Sequence, residues 1–183
     1  MIVDTDFWIE RLSRPLRKDF FADLLAEPDV SPDLCATLYT LSRHDDNFVA
    51  WRALWGCEKL CRRRKNSFLP YRSDLSARLQ CEQRDGMKRL MLSMLKLMPP
   101  VEPIDVPLYD FCLQRMLAPQ ETRAVQALCQ KLAYRTACCE PLLRHELIET
   151  LSFDNLDFYP PTVRTSARNI LKKLTLKDNK KDN

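Results

Sequence analysis

The chain has 183 residues, a mass of 21.5 kDa, 45% hydrophobic and 30% charged residues, and a formal net charge of +4. A chain of this length buries roughly 70% of the surface its unfolded form exposes, so it needs neither a metal nor a disulfide to fold. It has two glycines, Gly56 and Gly86, where average usage gives about a dozen; phosphate loops and dinucleotide fingerprints, which need clustered glycines, are excluded.

The one Asp-Gly pair, Asp85-Gly86, precedes a helical pattern, so hairpins and a sheet are not expected. No run of about 18 apolar residues exists to cross a membrane. The start, Met1-Ile2-Val3-Asp4-Thr5-Asp6, is acidic and lacks the apolar segment of a secretory signal. Eight cysteines in a chain read as unsecreted are expected to stay reduced. The expected compartment is the cytoplasm.

Apolar residues recur at helical spacing almost throughout, punctuated by twelve prolines. In chain order the spacing predicts helices over 6–13, 16–27, 32–43, 47–64, 69–82, 86–98, 106–117, 120–136, 140–152 and 161–175. Ser31-Pro32-Asp33 is a start signal, with a capping serine, a first-turn proline and an acid facing the helix dipole. Asp105-Val106-Pro107 and Glu140-Pro141 read alike, Asp45-Asp46 is expected to cap the helix at Asn47, and Asp85 the helix after it. Residues 176–183 form a polar tail expected to fray.

The predicted helices carry a repeat. The stripe Val163, Ala167, Ile170, Leu171, Leu174 maps by a step of 38 residues onto Val125, Cys129, Leu132, Ala133, Thr136. Further steps reach Met87, Met91, Met94, Leu95, Met98 and then Val49, Ala53, Gly56, Cys57, Leu60. Leu75, Leu113 and Leu151 form a column on the preceding helices, as do Leu41, Leu79 and Leu117. The step fails at Asn155, where the last connector lengthens.

Two helices per roughly 40 residues, with a small or apolar stripe on the second, resemble the HEAT and armadillo-like α-solenoid family. The resemblance rests on Pro161-x-Val163-Arg164-x2-Ala167-Arg168-x-Ile170-Leu171-Lys172-Lys173-Leu174, with a looser echo at Glu121–Val125, and covers about residues 30–175. It implies an all-α fold, a right-handed α-α superhelix of about four to five stacked antiparallel helix pairs. Residues 1–29 are then N-terminal capping helices, and 30–175 the repeats of the same domain. Each pair hides its neighbour's apolar face, and the second helices line a concave surface suited to extended partners.

Candidate chemistry is sparse. His44 and His145 lie by acidic residues but near no nucleophile in sequence. No Cys-x-x-Cys or Cys/His pair has zinc spacing; Cys57 and Cys61 share one helix face, and Cys57 falls in the core register. Cys138-Cys139 lie near a helix end, and the carboxylate pairs Asp45-Asp46, Glu146/Glu149 and Asp154/Asp157 show no partner for acid–base work. No catalytic residue, metal site or cofactor is therefore expected.

Charge is segregated. Residues 1–47 carry net −5, 48–98 net +8, 99–160 net −4 and 161–183 net +5. The bases gather on second helices with two tryptophans, and the expected partner-binding residues are Trp51, Arg52, Trp55, Lys59, Arg62, Arg63, Lys88, Arg89, Lys96, Arg164, Arg168 and Lys172. The expected function is a non-enzymatic binding or scaffold module for a macromolecule, a protein first. The alternative is nucleic-acid binding, since the architecture resembles that of the alkylpurine DNA glycosylases, which implies a basic concave groove with Trp51, Trp55 and Asp45 or Asp46 at work. All-helical lyases of the adenylosuccinate lyase kind are excluded, because their Ser/Gly-rich loop has no counterpart here.

Overall fold

The computed structural model describes residues 5–14, 32–100, 102–153 and 156–178. These form nine α-helices and two 3-10 segments, with no strand among the described residues. The expected helix 16–27 and residues 179–183 of the expected tail lie outside them. Two compact units result, Met1–Pro99 and Pro100–Asn183.

In the first unit, α1 spans Thr5–Ser13, α2 Pro32–Leu41, α3 Asn47–Arg63, α4 Arg72–Cys81 and α5 Asp85–Leu97. Asp46 starts α3: its carboxylate accepts from the backbone N–H of Phe48 at 2.7 Å and of Val49 at 3.2 Å, satisfying donors that have no partner within the helix. The expected helix over 69–82 begins instead at Arg72, after a 3-10 segment over Lys65–Tyr71. Pro70 sits within that segment. It has no N–H to give to an α-helical ladder, and the regular helix starts beyond it. Asp85 is not the cap of α5. Extended Arg84 holds that position without a side-chain bond, and Asp85, in the first turn, ion-pairs with Lys88 at 3.0 Å, where a negative charge suits the helix dipole.

Helix α2 packs on α3, α4 on α5, and α3 lies beside α5. Residue pairs that rise together show that α3 and α5 run parallel. Arg84 bonds Asn47 near their starts, Ser93 Oγ donates to Glu58 at 2.8 Å midway, and Cys61 Sγ meets the Met94 carbonyl oxygen at 4.0 Å. Helices α2 and α4 are tied by Asp74, which accepts from Tyr39 Oη and Arg43, and by Arg78, which donates to Ser42 Oγ at 2.9 Å.

In the second unit, α6 spans Val106–Arg115, α7 Arg123–Ala137, α8 Pro141–Phe153 and α9 Pro161–Asp178, with a 3-10 turn at Leu156–Phe158. Asp105 caps α6 by accepting from Leu108 N–H at 3.1 Å. Helix α7 starts three residues later than expected, because Glu121 is buried and pairs with Arg115 at 3.3 Å. Gln126 Nε2 donates to the Ala118 carbonyl at 2.8 Å, which holds the turn against the helix. Helix α7 packs on α6, α8 and α9. Tyr109 Oη reaches the Leu143 carbonyl at 2.7 Å, which ties α6 to α8.

The 38-residue columns prove to be core positions. Val49, Met87, Val125 and Val163 are at most 1% exposed. The next column, Ala53, Met91, Cys129 and Ala167, is equally buried. Each large member contributes roughly 1.5–3 kcal/mol through the apolar surface removed from water. Within each unit, then, two helix pairs stack through second helices that share one register. Thr136, Leu171 and, on the first helices, Leu113 are the half-exposed members of their columns.

Candidate interaction surface

Helix α3 buries Val49, Ala50, Ala53, Leu54, Cys57, Leu60 and Cys61. At about 100° per residue, those positions leave the opposite side of the helix outward, and within it lies one arc of roughly 120°. Phe48, Trp51, Arg52, Trp55, Lys59, Arg62 and Arg63 all fall on that arc and all retain exposure. Six of them are sequence-predicted site residues; the seventh, Phe48, is 69% exposed and was missed.

The arc is a ladder of cations on aromatic faces. Arg52 lies over the Phe48 ring at 5.5 Å, and Lys59 over Trp55 at 5.8 Å. The Trp51 and Trp55 rings are 5.1 Å apart, tilted by 39°. Such contacts contribute roughly 0.5–1 kcal/mol at exposed sites and hold the side chains in place. On one flank, Arg52 donates to the backbone carbonyls of Leu12, Ser13 and Arg14 at 2.6, 3.2 and 2.9 Å, and so satisfies the C-terminal end of α1. On the other, Trp51 packs over Gly86 of α5. A Cβ there would stand 3.1 Å from the indole nitrogen, so the missing side chain makes room for the ring.

The remaining predicted bases divide by their neighbours. Arg62 ion-pairs with Glu58, which is 4% exposed and also takes the Ser93 hydroxyl. Lys88 does not reach the outer face: it is buried and paired with Asp85. Arg89 is exposed and Lys96 half-buried on α5. Arg164 and Arg168 both face Asp157, at 3.7 and 2.7 Å, and Lys172 is exposed on α9.

Sequence reasoning also missed a groove of about 570 Å³ between α7 and α9, lined by Lys131, Tyr134, Thr165, Ser166, Asn169 and Lys173 among others. The signal was available. Steps of 38 residues carry Trp55 to Lys131 and then Asn169, Trp51 to Thr165, and Lys59 to Lys173. The groove thus uses the repeat positions that form the aromatic ladder on α3.

Among the described residues, the titratable side chains make no reactive constellation. His44 Nδ1 accepts from the Asp46 backbone N–H at 3.0 Å, as part of the α3 start, and His145 is exposed. Burial holds the Cys57 thiol well above its ordinary range, and pushes Cys61 up to about 12; both act as small apolar side chains. Glu146 and Glu149 are exposed. No group of three or more His, Cys, Asp or Glu side chains suited to a metal ion occurs among the described residues, and no described helix is long and apolar enough to cross a membrane.

A family model described as a HEAT repeat domain matches residues 8–174. No curated protein and no solved structure matches the chain.

Proposed function

Because the chain belongs to the HEAT repeat domain family, we propose that it is a non-enzymatic binding module whose partner is a protein, docked on the outer face of α3 and the adjoining face of α5. The observation that carries this reading is the α3 ladder: Phe48, Trp51 and Trp55 fixed on a rigid helix and rimmed by Lys59, Arg63, Arg89 and Lys96. Tryptophan and arginine are over-represented where protein interfaces concentrate their binding energy. A rigid aromatic ridge also loses little conformational entropy on binding.

Replacing Phe48 by a photo-crosslinking phenylalanine analogue tests the reading in cells. One stoichiometric protein adduct is expected at position 48, and none from the same analogue at Ala77, exposed on α4. Equal labelling at both positions, or no protein adduct at 48, contradicts it.

A second reading, nucleic-acid binding, draws support from the base excess on the second helices. Helices α7 and α9 carry three and five basic residues and no acid before Asp178. It predicts a salt-dependent gel shift with duplex DNA, lost on Arg63→Glu with Arg89→Glu. Arg62 is a poor choice of variant, because its reversal also unpairs buried Glu58.

A further inference from the structure

The α7–α9 groove differs from the α3 ladder in chemistry. Its floor is apolar: Ile170 is 6% exposed, and Pro161 and the Tyr134 ring adjoin it. Thr165, Ser166 and Asn169 line it too, as do two lysines, Lys131 and Lys173. No carboxylate is among its lining residues, and both charged groups there are positive.

We infer that this groove takes a short acidic stretch of polypeptide, with an apolar side chain on the Ile170–Tyr134 floor and flanking Asp or Glu carboxylates at Lys131 and Lys173. This rests on the reading of the chain as a protein-binding module and adds a second contact site with a stated partner chemistry. Two observations favour polypeptide over a nucleic-acid strand. The arginines of α9 that would grip phosphate in two-pronged fashion, Arg164 and Arg168, are turned onto Asp157. An apolar floor fits a side chain such as leucine; a phosphate backbone gains nothing from it.

Isothermal titration of the full chain at low salt, with a synthetic peptide of one leucine flanked by glutamates, tests the inference. Saturable binding is expected, and none with the peptide in which glutamines replace the glutamates. Lys131→Glu and Lys173→Glu are each expected to weaken binding roughly five-fold, and Lys65→Glu, exposed in the first unit and outside the groove, to leave it unchanged. Should either reversal lower the thermal midpoint, Lys131→Gln and Lys173→Gln remove the charge alone and are expected to weaken binding about two-fold. Absence of saturable binding, an equal loss with Lys65→Glu, or tighter binding of oligothymidine or inorganic phosphate than of the peptide overturns the inference. Peptide binding that persists when position 48 gives no adduct removes the α3 reading alone; the reverse removes the groove alone.

Discussion

The two units spend the same repeat positions differently. In the first, the outward positions of α3 hold Trp51, Trp55 and Lys59, whose rings and ammonium group stack on one another. In the second, the corresponding positions of α7 and α9 hold Lys131, Thr165, Asn169 and Lys173 around an apolar floor. Inward positions scarcely vary in environment: all four members of the Val49 column are buried, as are all four of the Ala53 column. Packing constrains what faces the neighbouring pair and leaves the outer arc free. One repeat can therefore build a ridge in one unit and a groove in another.

The comparison breaks most visibly in the core. Met94 and Leu132 occupy the same repeat position in the two units and are 0% and 2% exposed. Met94→Ala and Leu132→Ala are each expected to cost about 2–5 kcal/mol in urea unfolding, from lost transfer energy plus the cavity left behind. A cost below about 1 kcal/mol at either site would mean that the shared register does not impose shared burial there.

A smaller effect separates the units at another shared position. Ser93 of α5 and Lys131 of α7 are one repeat step apart. Ser93 donates at 2.8 Å to the buried Glu58 carboxylate, so Ser93→Ala is expected to cost about 2 kcal/mol, as for a hydrogen bond to a charged group. Lys131 is exposed, and Lys131→Ala is expected to stay within about 0.5 kcal/mol. Equal costs from the same denaturation series would erase the contrast.

Smallest is a pH effect in the first unit. Burial acts to raise the Asp74 pKa, but hydrogen bonds from Arg43 and Tyr39 outweigh it and hold the carboxyl below its ordinary value. A carboxylate with a depressed folded pKa stabilises above its unfolded pKa, and that contribution fades as pH falls through the folded one. Stability of the native chain is therefore expected to fall more between pH 5 and pH 3 than that of Asp74→Asn, by urea midpoint. Parallel falls would deny Asp74 this role.

Much of this architecture was legible in the sequence, for a physical reason. Apolar spacing reports burial, and burial is what second helices at a fixed step share, so Val49, Met87, Val125 and Val163 could be placed in one environment without coordinates. Caps carried by a short side chain, Asp46 and Asp105, were legible too, because the bond spans two or three residues. The failures involve contacts distant in sequence or geometry finer than periodicity. Nothing local told that Glu121 would be buried against Arg115 and delay α7, or that Pro70 would leave a 3-10 turn before α4. At the candidate site, spacing put Trp51, Trp55 and Lys59 on one face. It was blind to which cations the fold consumes. Arg52 caps α1, Lys88 is buried against Asp85, and Arg164 and Arg168 share Asp157.

Hydrogen exchange on the chain, free and bound to the protein captured through position 48, measures most directly whether the outer face of the second helices is where partners dock. The account predicts added protection in α3 and the adjoining α5, with α2 and α4 unchanged. Protection confined to α2 and α4 would contradict it.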